Sequence, residues 1–166
     1  MTDLLIAEAH ARRLLYGYAR AADRLDRDLL ASLFHDDARI ELGTIYAGPP
    51  SGFLDVCMGF MGAMVATRHD IGNLLVMAHD ATSASVEAYV QAWHRIETPG
   101  GTRELTVYGR YLTRVEARRD DWRIAYHSEL IDWGREVAAD PAWFDGNGEM
   151  GKGQRDHNDA SYALLA

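Results

Sequence analysis

Histidine takes and gives protons near neutrality, and a carboxylate on its second ring nitrogen fixes which nitrogen holds the proton. Asp23 and His69 are the pair in this sequence best suited to work that way, with Tyr18 as a third catalytic candidate. His69 stands in Arg68–Met77, where alternation puts Ile71, Asn73 and Leu75 on the histidine's own side. Those neighbours are mostly core-like, so the imidazole is expected to point inward and act as a general base or acid. Asp23 ends an otherwise apolar helix face beside Ala22 and can supply the carboxylate. Tyr18 lies five residues earlier, about 140° round an ideal helix, so it and Asp23 share a pocket only from opposite edges. Tyr16 lies on the side of Asp23.

Further polar residues are expected to read a substrate: Tyr46, Asn73, His94, Tyr108, Arg110 and His127. His94 shares a face with Val86, Ala88, Val90 and Ala92, which directs it inward. Tyr108 with Arg110, and His127 with Glu129, occupy alternation sets opposite to Tyr111 and Tyr126. Alternation leaves open which set faces in.

Other chemistries lack their motifs. His35 and Asp37 have the spacing of a facial-triad start, yet they stand in a polar run read as a turn. With no paired-histidine helix motif and no cysteine pair, no metal is expected. The one cysteine, Cys57, lies inside the apolar stretch Phe53–Met64 and reads as a small buried hydrophobe. No Gly-rich phosphate loop and no serine elbow occur, so no cofactor is expected.

These groups need elements to hold them. Residues 4 to 25 carry apolar residues at three and four, from Leu4 through Leu14, Leu15 and Tyr18 to Leu25, and predict a helix. Asp26 caps a short second helix, Asp28–Phe34, ended by a turn at His35-Asp36-Asp37. A strand follows at Ala38–Leu42, then a small arm at Thr44–Ala47, then a third helix from Phe53 to Met64 capped by Ser51. Arg68–Met77, Ser85–Glu97, Glu104–Glu116 and Trp122–Trp133 read as four antiparallel strands connected in order. Three helices followed by a meander give an α+β class, with helices on one face of a strongly bent sheet. Two ranges are expected: 1–135 as the folded domain, and 136–166 as a Gly-rich tail that belongs to it or covers it.

The 166 residues fit one domain, and the net charge of −8 disfavours nucleic acid and anionic membranes. Met1–Glu8 lacks a charged-then-apolar leader pattern, and no apolar run approaches the ~18 residues of a span, so a cytoplasmic location is expected.

Tyr18 to Asp26, continuing through Leu33-Phe34-His35-Asp36-Asp37-Ala38, resembles the opening of the SnoaL-like branch of the nuclear transport factor 2-like superfamily. Thr67 to Gly72 is similar to the strand bearing the catalytic histidine in scytalone dehydratase and hexachlorocyclohexane dehydrochlorinase. Val115 to Trp122 and Leu130 to Gly134 resemble the group's closing strands, so the resemblance spans about residues 10 to 135. It implies a cone-shaped α+β barrel, with Asp23 and His69 on the pocket aspartate and histidine, and Tyr18 on a tyrosine of bile-acid dehydratases. It further implies a cofactor-independent, dehydratase-like lyase or isomerase acting on a hydrophobic cyclic small molecule, in a homo-oligomer of two or three chains. The same fold also serves polyketide cyclases, non-catalytic binders, and structural subunits like the small subunit of ring-hydroxylating dioxygenases.

Overall fold

The structure, a computed structural model, describes residues 2–165; Met1 and Ala166, the outer ends of the two expected ranges, lie outside it. Helix α1 (Thr2–Arg24) forms because Ala7, Ala11, Leu14, Leu15, Tyr18 and Ala22 repeat at three and four and bury one face. It ends in two backbone bonds, Asp26 N–H to the carbonyl of Ala21 and Leu25 N–H to that of Ala22, with Leu25 left-handed at φ 54°. Asp26 then caps α2 (Arg27–Ser32), accepting from Leu29 N–H at 2.9 Å. The third helix, α3 (Pro50–Gly62), has Pro49 at its cap rather than Ser51. Pro50 occupies the first turn, where its missing N–H would have had no partner anyway.

The strands are β1 (Phe34–Leu42), β2 (Tyr46–Gly48), β3 (Ala66–Ala78), β4 (Ser83–Thr98), β5 (Gly101–Arg118) and β6 (Asp121–Ala138). From β3 to β6 each pairs antiparallel with the next, as expected of four strands connected in order. β1 joins β6 in parallel and β2 flanks β1, giving one sheet in the order β2-β1-β6-β5-β4-β3. The sheet curls without closing, and the class is the expected α+β. Bulges in β1, β3 and along the β5–β6 pair help bend it. Leu14, Leu15, Phe34, Ile40, Phe53 and Ile124 are fully buried in the core.

Two further local expectations are corrected. His35-Asp36-Asp37 is strand, not turn. Phe34 and Ala38 bury their side chains and the chain pairs with β6, so tertiary packing overrides the polar triplet. His35 is tied down by a ring-nitrogen contact to the carbonyl of Glu116 at 3.0 Å, and Arg118 donates to Asp37 at 2.6 Å. In β3, a bulge between Ile71 and Leu74 breaks the alternation. Leu74, Val76 and Ala78 therefore pack on the core, while Asn73 and Leu75 turn to solvent.

Beyond β6 the chain carries two short helices, α4 (Ala142–Gly146) and α5 (Ala160–Leu164), and docks on the outside of the helix–sheet junction. Tyr162 donates to Asp26 at 2.7 Å, Arg20 lies over the Tyr162 ring, and Arg95 forks onto Asp145 with two 2.8 Å bonds. Arg155 reaches furthest in: it donates to the backbone carbonyls of Asp23 at 3.2 Å and Met64 at 2.6 Å. One guanidinium thus ties the last turn of α1 to the residues just before β3.

Candidate active site

Asp23 stands in that last turn and His69 in the first half of β3. Asp23 Oδ1 accepts from His69 Nδ1 at 2.7 Å and from the Thr67 hydroxyl at 2.7 Å, and Oδ2 accepts from the His69 backbone N–H at 3.0 Å. Three donors from one strand therefore hold one carboxylate. Burial pushes the Asp23 carboxyl up, but the His69 bonds and the Thr67 hydroxyl outweigh it, leaving the acid below its ordinary range. A carboxylate only accepts, so the neutral His69 ring carries its proton on Nδ1 and its lone pair on Nε2. The side chain is 4% exposed, and Nε2 has no partner in the described chain.

His69 forms part of the wall of a cavity of about 250 Å³, enclosed by α1, α3 and the concave sheet face. The wall is mainly apolar: Leu42, Phe53, Val56, Met61, Leu105, Val107 and Ile131 surround His69, His94, Tyr18, Tyr111 and Glu129. Larger hollows exist, from about 350 Å³ beside Met77 to about 540 Å³ under the C-terminal segment, but none of them includes Asp23 or His69.

The matching family profile is the SnoaL-like domain, over residues 3–127, well over half of the sequence. The chain belongs to the SnoaL-like domain family. None of the curated proteins matches it in sequence. Similar solved structures include a proposed scytalone dehydratase from Novosphingobium aromaticivorans, with TM-score 0.73, 21% identity, and coverage of 84% of this chain and 94% of that one. A type-2 hexachlorocyclohexane dehydrochlorinase, LinA, gives TM-score 0.75, 20% identity and coverage of 84% and 94%. A proposed aromatic ring hydroxylase, also from N. aromaticivorans, gives 0.69, 22%, and 81% and 94%. These likenesses establish the nuclear transport factor 2-like fold.

In this SnoaL-like chain the sequence candidates separate into three groups. Tyr18 and His94 line the cavity with His69. Burial holds the Tyr18 phenol well above its usual range, so it remains a donor, and its hydroxyl has no bond in the described chain. The His94 ring sits 5.5 Å from that of His69, and burial followed by the nearby His69 lowers it to about 4, keeping it neutral. His94 Nδ1 is buried without a partner; placing the proton on Nε2 leaves only a lone pair unmet there.

His127 is the second group. It is fully buried behind the wall, between the rings of Tyr18 and Tyr111 at 4.8 Å each, and bonds Thr113 at 3.0 Å. Tyr46 likewise stays out of the cavity wall, because its hydroxyl donates to the Pro49 carbonyl at 2.5 Å.

The third group lies on the wrong face. Tyr108 stacks on Trp133 outside the sheet, Arg110 pairs there with Asp132 and Glu87, and Asn73 is solvent-exposed. The reason is register. Tyr108 pairs with Trp133 but Gly109 with Ile131, so both Asp132 and Trp133 turn outward while Glu129 and Ile131 turn in. Two cavity residues, Tyr111 and Glu129, escaped the candidate set; they are direct cross-strand partners. Cys57 also touches the cavity, and burial pushes its thiol up to about 12, which makes it inert.

A stability prediction arises from the two buried histidines. Burial lowers both His94 and His127 to about 4. Between about pH 6.5 and pH 4 the unfolded chain binds protons that the native histidines refuse, so native stability falls as pH drops through that window. For His127 the loss approaches about 3 kcal/mol. Urea unfolding from pH 7.5 to 4.5 is expected to show this decline, and His127→Phe to flatten it by about one proton's worth of slope.

Proposed function

We propose that this protein is a cofactor-independent lyase or isomerase of the dehydratase type, acting on a hydrophobic cyclic small molecule. The observation that carries the reading is the 2.7 Å bond between His69 Nδ1 and Asp23, with Nε2 left to an apolar cavity. Nε2 removes a proton from carbon next to a carbonyl, and Asp23 holds the tautomer and stabilises the imidazolium that forms. Tyr18 donates to the carbonyl oxygen as enolate charge develops on it. His94, neutral, offers a second donor beside it. The aliphatic and aromatic walls favour a flat, weakly polar ring system of one or two rings, in keeping with the cavity's size. A non-catalytic binder or structural subunit would not need an aspartate satisfied by three donors behind a histidine, which supports the enzyme over those readings.

The base is tested without knowing the natural substrate. In D₂O the protein is expected to catalyse deuterium uptake at the carbon next to the carbonyl of α-tetralone, followed by proton NMR. His69→Ala is expected to return exchange to the background rate. Equal exchange by wild type and His69→Ala would remove the proposed base.

A further inference from the structure

Glu129 is the only carboxyl on the cavity wall among the described residues. It projects from the concave face of β6 opposite Tyr111. Several other strand acids have cationic partners: Glu87 and Asp132 share Arg110, Glu116 takes Arg114 and Arg118, and Glu136 takes Arg103. Glu129 has no hydrogen bond and no ion pair within the described chain, and no lysine or arginine lines the cavity. An unpaired carboxylate facing apolar walls is costly, which favours the protonated form that has a proton to give. The titratable neighbours are consistent with that state. Tyr18 from α1, Cys57 from α3, His94 from β4 and Tyr111 from β5 all resist ionisation, so none of them supplies a counter-charge. Burial raises Glu129 above the ordinary carboxyl range, with His69 pulling the other way.

We propose that Glu129 is the general acid that protonates the departing hydroxyl in a dehydratase-type elimination. This rests on the lyase reading above. His69 Nε2 takes the proton α to the carbonyl, and that C–H electron pair forms the new double bond. The C–O bond at the β-carbon breaks with its electrons on oxygen, and the Glu129 proton converts the oxygen to water. The step leaves an imidazolium and a carboxylate. Transfer of the proton from His69 to Glu129, through released water, restores both. A halide leaves as a stable anion and needs no such donor. Glu129 therefore separates this site from one built for dehydrochlorination, the activity named for the structural neighbour LinA.

The test compares two leaving groups on one skeleton: α-tetralone bearing a hydroxyl or a chloride β to the carbonyl, each yielding the same naphthol, read by absorbance. Glu129→Gln keeps the shape but has no proton to give, and Glu129→Met serves as a second variant. Both are expected to slow loss of hydroxyl by about 10²-fold while chloride loss changes less than about threefold. His69→Ala is expected to lose both eliminations and the α-proton exchange. Variants of Glu129 that slow both leaving groups equally, or neither, overturn the proposal and leave the base intact. So does a wild type that exchanges the α-proton but eliminates only chloride. If wild type neither exchanges nor eliminates, the base reading falls, and an infrared difference spectrum decides Glu129 alone. A protonated-carboxyl band at neutral pH that Glu129→Gln removes supports the neutral acid, and its absence overturns it.

Discussion

Asparagine in place of Asp23 is expected to cut α-proton abstraction by about 10²–10⁴-fold while the fold survives. The carboxylate accepts from His69 Nδ1, from the Thr67 hydroxyl and from the His69 backbone N–H. Asparagine offers one acceptor oxygen and one donor NH₂ where three donors converge. If the oxygen keeps the backbone N–H, the NH₂ faces the imidazole and pulls its lone pair round to Nδ1. The proton then moves to Nε2, the position that has to receive one, and the base is gone without the ring having moved. Asp23→Ala differs. It strands three donors at the α1–β3 junction and is expected to cost about 3 kcal/mol of stability as well. Deuterium-exchange rates combined with thermal unfolding separate the two effects: Asp23→Asn loses rate at nearly unchanged Tm, and Asp23→Ala loses both.

Gly109→Ala is expected to lower stability by about 3 kcal/mol, a fall in Tm of about 10 °C. A Cβ at Gly109 would sit 2.3 Å from the carbonyl oxygen of Leu130, and backbone cannot rotate away as a side chain can. Relief requires β6 to slide off β5 where the register already shifts. Leu130 stands between Glu129 and Ile131, so the same movement deforms the cavity wall. Gly59→Ala is the control. It lies on the exposed side of α3 with open space around its would-be Cβ, and alanine there is expected to stabilise by about 0.5–1 kcal/mol. Thermal unfolding of the pair therefore gives shifts of opposite sign.

Helical periodicity and turn residues gave away the element order, because α1 buries one stripe and the meander is punctuated at Thr98-Pro99-Gly100-Gly101 and Arg119-Asp120. Asp23 and His69 could be named for the same reason: His69 precedes any bulge, so simple alternation holds up to it. Past Ile71 it fails, and Asn73, two positions on, faces solvent instead of the cavity. Tyr108 and Arg110 were misdirected for a related reason. The phase of β5 and β6 depends on shifts at Tyr108/Gly109 and Arg114/Val115, each worth a reversal of face, and a bulge leaves little trace in residue type. The same shifts hid Glu129. Its one legible signal was shared parity with His127, which tied both to a single face without saying which. Tyr46 was misjudged for a local reason, since only coordinates reveal that its hydroxyl is spent on Pro49.

Arg155 gives the docked C-terminal segment a further significance. Asp23 and His69 belong to the stretch matched to the family, residues 3–127, whereas the guanidinium that bonds the carbonyls of Asp23 and Met64 comes from outside it. Relatives with the same aspartate and histidine but another terminus could differ in rate with identical cavity walls. Tuning of the Asp23–His69 geometry, by selection or by design, can thus proceed from the protein's periphery.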